Sequence, residues 1–251
     1  MAKTRKGTPC WYELATTDPT GAAAFYGHVL GWTTADAGMP GFDYRLASSG
    51  DDMVAGITPG SPPAWIFYVT VTDCGKAAKA VVKAGGAILN GPMEVPGTGT
   101  VAILADPQGA RFGILAPLDD AGRAFDQKQA GHGNWHELMT SDPAAAMAFY
   151  GKEFGWKPSR SMDMGAMGSY DIFNHAKADI GGMMRQAPGM PGPGHPFWVP
   201  YFGCDSVEAA MARVTAGGGR VFMGPQEVPG GAVIMVGQDP LGAIFALVGP
   251  R

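Results

Sequence analysis

The sequence predicts an α+β protein made of two copies of one domain, each copy built from two βαβββ modules. Three observations predict it. Residues 11–32, WYELATTDPTGAAAFYGHVLGW, and residues 135–156, WHELMTSDPAAAMAFYGKEFGW, share thirteen of twenty-two positions at an offset of 124. Further on, GPMEVPG at Gly91 returns as GPQEVPG at Gly224, and DPQGARF at Asp106 returns as DPLGAIF at Asp239, both at an offset of 133. Finally, 39 glycines and 21 prolines lie singly between apolar runs, as expected of many short elements joined by turns. A repeat this long is a duplicated domain, not a solenoid. The expected layout is a tail over 1–9, a first domain over 10–118, a polar linker over 119–133 and a second domain over 134–251.

Within the first copy, the aromatic and β-branched run from Trp11 to Thr17 reads as a strand. Asp18-Pro19 then supplies an N-cap and a residue suited to a first helical turn. Ala22, Phe25, Tyr26 and Val29 fall at helical spacing, and Gly31 is a natural stop. Short strands follow over Trp32–Ala35, Phe42–Ala47 and Met53–Ile57. The second module opens with a strand at Trp65–Val71 and continues with a helix over Asp73–Ala84. Strands near Ala87–Met93, Thr100–Leu104 and Arg111–Leu115 complete it. The second copy repeats the scheme from Trp135 and from Trp198, with the extra length partly in a Gly/Pro-rich loop over Gln186–His195. The G-P-x-E-V-P-G segments, with Glu94 and Glu227, read as turns.

Composition excludes several classes of function. A formal charge of −4 offers no basic surplus for a phosphate backbone, so no nucleic-acid partner is expected. No run of 18 apolar residues suggests a membrane span, and the basic N-terminal residues lead straight into Trp11-Tyr12-Glu13 without a signal-peptide core, which points to the cytoplasm. Cys10, Cys74 and Cys204 are odd in number and far apart, unlike a disulfide framework or a zinc-thiolate site. No P-loop, Rossmann, G-x-S-x-G or H-E-x-x-H motif is present.

The strand ending in Asp-Pro, followed by A-x-A-F-Y-G-x-x-x-G-W and the closing D-P-x-G-A-x-F, resembles the vicinal oxygen chelate superfamily, which includes glyoxalase I, bleomycin-resistance proteins and extradiol dioxygenases. The resemblance covers nearly the whole chain and implies cup-shaped, incompletely closed barrels. It also implies a divalent metal held by a His on the opening strand, a residue on the strand opening the second module, and a Glu on the last strand. In this sequence those positions carry Trp11 and Trp135, then Ile66 and Val199 (Phe67 and Trp198 on a one-residue slip), then Gly113 and Ala246. No metal and no cofactor is therefore expected.

Strand alternation puts Glu13 on the face of Trp11 and Glu137 on the face of Trp135. A carboxylate in an aromatic cup is a candidate general acid or base, or alternatively a structural anchor. His136 falls on the opposite face, as a core or rim residue. Arg111 either reaches the first cup, to meet Glu13 or an anionic ligand, or extends to solvent. Tyr44, Tyr170, Trp65 and Trp198 are candidate walls of a pocket for a flat ligand. The leading expectation is a metal-independent, glyoxalase-like protein that binds a small apolar or aromatic metabolite, toxin or antibiotic. One alternative is a metal-free lyase, isomerase or hydrolase using Glu13 or Glu137. Another is a metal-dependent lyase or dioxygenase with unorthodox ligands. The expected assembly is a pseudo-two-fold monomer, with a dimer of chains as the alternative.

Overall fold

The computed structural model describes residues 5–120, 122–187 and 189–251. The first copy runs β1 (Pro9–Thr16), α1 (Pro19–Leu30), β2 (Thr33–Asp36), β3 (Arg45–Ser49), β4 (Asp52–Pro59), β5 (Ala64–Thr70), α2 (Cys74–Lys83), β6 (Ala87–Val95), β7 (Gly99–Ala105) and β8 (Arg111–Pro117). The second runs β9 (Gly133–Thr140), α3 (Pro143–Phe154), β10 (Lys157–Asp163), β11 (Ser169–His175), β12 (Ala178–Arg185), β13 (Phe197–Gly203), α4 (Val207–Ala216), β14 (Arg220–Glu227), β15 (Val233–Gln238) and β16 (Ile244–Gly249). This is the α+β, four-module architecture expected, with one eight-stranded mixed sheet per copy.

Within a copy the first module orders its strands β2-β3-β4-β1 and the second β5-β8-β7-β6; the other copy repeats this as β10-β11-β12-β9 and β13-β16-β15-β14. The first strand of a module lies parallel to the last, as β1 does to β4, because the helix between them carries the chain back before it turns.

The helices form where the capping residues dictate. Asp18 accepts a hydrogen bond from the Gly21 N–H at 2.9 Å, satisfying an orphan donor, and Gly31 ends α1 in the left-handed region at φ 74°. Asp142 and Gly155 do the same for α3. Two local expectations shift. The strand expected over Phe42–Ala47 begins only at Arg45, because Pro40, Gly38 and Gly41 hold the preceding segment as a loop. The G-P-x-E-V-P-G segments are largely strand: Glu94 lies within β6 and Glu227 closes β14, where register shifts absorb the Gly-Pro pair.

Compactness cuts across the duplication. One compact unit contains Phe67–Ala121 and His136–Trp198, with the N-terminal stretch ending at Cys10. The other contains Trp11–Ile66, Gly122–Trp135 and Val199–Arg251. Each unit thus joins one module of the first copy to one of the second, and the repeated motifs supply the reason. In the second unit, Trp65 Nε1–H donates to the Tyr26 hydroxyl at 2.8 Å, and Tyr26 donates to Asp239 Oδ2 at 3.1 Å. The other Asp239 oxygen accepts from the backbone N–H groups of Leu241, Gly242 and Ala243. In the first unit Trp198 donates to Tyr150 at 3.0 Å and Tyr150 to Asp106 at 3.0 Å. Helix motif A-F-Y-G of one copy therefore meets turn motif D-P-x-G-A of the other, twice.

Rings close around each chain of hydrogen bonds. Trp32, Trp65 and Phe245 surround Tyr26, with Phe202 against Trp65, and Trp156, Trp198, Phe112 and Phe154 surround Tyr150. Burial raises the Asp106 and Asp239 carboxyls above their ordinary range, against the pull of their backbone donors. It also raises the Tyr26 and Tyr150 phenols well above theirs, with the neighbouring Asp charge adding to the shift.

Candidate functional site

The burial pattern along β1 divides its residues into two faces. Tyr12, Leu14 and Thr16 are buried, whereas Trp11, Glu13 and Ala15 are half-buried. β9 repeats the division, with Trp135 and Glu137 half-buried and His136 buried between them. Both carboxylates thus lie on the face that stays partly open to solvent, beside the tryptophan two residues before.

In the second unit the arrangement around Glu13 is closely specified. Glu13 pairs in register with Gly56 on the parallel strand β4. The Tyr44 ring lies directly over Gly56, where any β-carbon would collide with it. Thus only glycine admits the ring. The Tyr44 hydroxyl donates to Glu13 Oε2 at 3.0 Å and accepts from the Trp11 Nε1–H at 3.1 Å. Burial raises the Tyr44 phenol far above its ordinary pKa, and the adjacent Glu13 charge raises it further. It therefore stays protonated and keeps donating.

The first unit repeats the placement: Glu137 pairs with Gly182 on β12, and the Tyr170 ring lies over Gly182. Gly56→Ala should consequently expel the Tyr44 ring and break its bond to Glu13. Overpacking of this kind lowers stability by about 1–3 kcal/mol. Chemical denaturation measures the loss, and an unchanged midpoint would count against the ring-over-glycine arrangement.

The other candidate residues are placed differently. Trp65 and Trp198, read as pocket walls, are 5% and 4% exposed and belong to the buried aromatic core, their N–H groups spent on Tyr26 and Tyr150. Their strands are buried on both faces, so a period-two reading could not separate a pocket wall from core. Arg111 is exposed at the start of β8 and makes no ion pair among the described residues. Its aromatic neighbour Phe112 takes the inward position. Phe42, which sequence reasoning passed over, stacks near-parallel on Tyr44 at 6.1 Å between centroids. An aromatic residue in a Gly/Pro-rich loop two positions before Tyr44 was the available signal.

The metal set implied by the fold does not fit these residues. An indole N–H only donates, so Trp11 and Trp135 offer a cation no lone pair. Gly113 lies under the ring of Tyr68, its register partner, so a carboxylate side chain there would have to displace that ring. Ala246 is fully buried opposite Tyr201. Among the described residues, no three His, Cys, Asp or Glu side chains gather in a group that could hold a metal ion.

The family model for the Glyoxalase/Bleomycin resistance protein/Dioxygenase superfamily matches residues 10–114 and 132–247. The chain is 34% identical over 256 residues to "Putative glyoxylase CFP32" of Mycobacterium bovis, covering 98% of this chain and 96% of that protein. It is 30% identical over 273 residues to "Anthracycline biosynthesis protein DnrV" of Streptomyces peucetius, covering 99% and 95%. Its fold is similar to the Mn(II)-bound glyoxalase from Novosphingobium aromaticivorans, with a TM-score of 0.69 at 16% identity, covering 98% of this chain and 82% of that one. It is also similar to the 2,3-dioxygenase LapB from Pseudomonas sp. KL28, with a TM-score of 0.70 at 16% identity, covering 99% and 93%. At such identities the solved structures speak for the fold alone. Among the described residues no helix is long and apolar enough to cross a membrane.

Proposed function

The chain belongs to the glyoxalase/bleomycin resistance protein/dioxygenase superfamily, and on that footing we propose that it binds a small aromatic metabolite on the half-buried faces of β1 and β9, without using a resident metal. The observation that carries this reading is the chain of hydrogen bonds from Trp11 through Tyr44 to Glu13. It stands where the family's opening-strand metal ligand would be. An indole, a phenol and a carboxylate fixed side by side present a flat apolar surface with one charged acceptor at its edge. That combination suits a planar ring bearing hydroxyl groups. The relative named for anthracycline biosynthesis supports the same chemical class, since anthracyclines are flat, hydroxylated polycyclic compounds.

A suitable probe is 1,4-dihydroxyanthraquinone, followed through quenching of tryptophan fluorescence. The expected result is saturable binding, unchanged by EDTA, and retained within about threefold in Glu13→Gln and Glu137→Gln, because an amide oxygen still accepts a hydrogen bond. Binding that appears only on addition of a divalent metal would overturn the reading.

The 3.0 Å contact between Tyr44 and Glu13 favours one second reading, a metal-free lyase or isomerase in which the carboxylate moves a proton. Under that reading the glutamine variants would bind but lose turnover, since an amide cannot take up the proton.

A further inference from the structure

Resting on that reading, we propose that Phe42 is the ligand-stacking residue of the Glu13 site, and that it makes this site, and not its counterpart around Glu137, selective for planar aromatics. Phe42 is 50% exposed, whereas most large aromatic side chains here are buried. A single exposed phenylalanine carries no meaning by itself. The position of this one does.

Its ring runs within 21° of parallel to that of Tyr44, with centroids 6.1 Å apart. Tyr44 is fixed: its hydroxyl is held by Trp11 and Glu13, and its ring is seated on Gly56. Phe42, by contrast, sits in a loop where Gly38 and Gly41 take left-handed backbone, closed at its base by the Ala37 N–H donating to the Tyr44 carbonyl at 2.8 Å. The Phe42 N–H closes a turn by donating to the Met39 carbonyl at 3.1 Å. A planar ring placed between two aromatic faces needs roughly 7 Å, two van der Waals contacts of about 3.5 Å. Phe42, carried on its loop, is the ring that has to move outward to admit one. The Glu13 carboxylate, which accommodates about four hydrogen bonds, then stands at the edge of the slot to accept from a ring hydroxyl.

The second copy lacks this device. Counting back two residues from Tyr170 reaches Gly168, which has no side chain and follows a short 3₁₀ turn over Gly165–Met167. Met167 is the exposed apolar residue there, at 42%. A flexible thioether adapts to many shapes but offers no flat face. The two sites, alike in Trp, Glu and Tyr, thus differ in what covers the tyrosine.

The test titrates the full-length protein with 1,4-dihydroxyanthraquinone, comparing wild type with Phe42→Ala, Phe42→Tyr and Met167→Ala. Support would be one tight site per chain in the wild type, weakened about tenfold in Phe42→Ala, restored in Phe42→Tyr and unmoved in Met167→Ala. Circular dichroism and the denaturation midpoint should be the same in all four proteins, since Phe42 lies in an exposed loop. If the wild type binds the probe and Phe42→Ala binds it within twofold, the stacking role is overturned while the proposed function stands. If the wild type shows no saturable binding, the proposed function falls and this inference falls with it.

Discussion

Asp239→Ala is expected to lower stability by about 4 kcal/mol, a large part of what a protein of this size has in reserve. One oxygen of this carboxylate accepts from three backbone N–H groups of the D-P-L-G-A turn, at 2.8 to 2.9 Å, and the other accepts from the Tyr26 hydroxyl. Truncation orphans the buried Ala243 N–H and Tyr26 hydroxyl along with two part-buried N–H groups, and each buried donor costs about 1–3 kcal/mol when left unpaired. The loss also falls on the contact that joins a module of the first copy to one of the second. Asp239→Asn should be milder, because its amide oxygen still serves the turn while its NH₂ cannot accept from Tyr26. Asp106→Ala should behave alike in the other unit, where Tyr150 and the Gln108 and Ala110 N–H groups depend on it. Urea unfolding at pH 7 gives the free energies, with the exposed Asp51→Ala as a control. A loss below 1 kcal/mol for Asp239→Ala would sink the argument.

These aspartates mark the boundary of what the sequence makes legible. The duplication, the four modules and the helix caps are local, and residues a few positions apart announce them: Asp18 with Gly21, Gly31 after Leu30, the A-F-Y-G run with its helical spacing. Tyr26 and Asp239 are 213 residues apart, and both motifs recur in both copies. Repetition alone therefore leaves open whether a tyrosine meets the aspartate of its own copy or of the other. Only the folded chain decides, and it decides for the other copy in both units.

The same limit applies at the candidate site. Alternation along β1 sufficed to put Glu13 beside Trp11, because that strand has one buried and one open face. On β5 and β13 both faces are buried, so nothing in the pattern distinguishes Trp65 from a pocket residue. The seat of Tyr44 on Gly56 depends on a register between strands that the sequence does not encode locally.

Acidification is expected to destabilise the protein through His136 by about 3 kcal/mol between pH 7 and pH 4. His136 takes the place that Tyr12 holds in the first copy, and it is buried under the Phe67 ring at 4.7 Å. Its Nδ1–H donates to the Ile180 carbonyl at 2.8 Å, which fixes the neutral tautomer. Desolvation lowers its pKa from 6.5 to about 4, against the smaller upward pull of that carbonyl. Because the folded pKa is the lower one, the unfolded chain takes up the proton first as pH falls. The contribution of His136 is complete above pH 6.5 and is lost between there and about 4. His175 shifts in the same direction, through burial and the Arg5 charge.

Asp106 and Asp239 act with the opposite sign. Their folded pKa values are raised, so their contribution is greatest below the ordinary carboxylate value of 3.8 and fades as pH rises. The raw pH profile mixes both effects, and a difference profile separates them. His136→Phe, an aromatic replacement that cannot titrate, should remove most of the decline between pH 6.5 and 4 while leaving the carboxylate contribution in place. A His136→Phe profile parallel to that of the wild type across this range would show that His136 is not the group responsible.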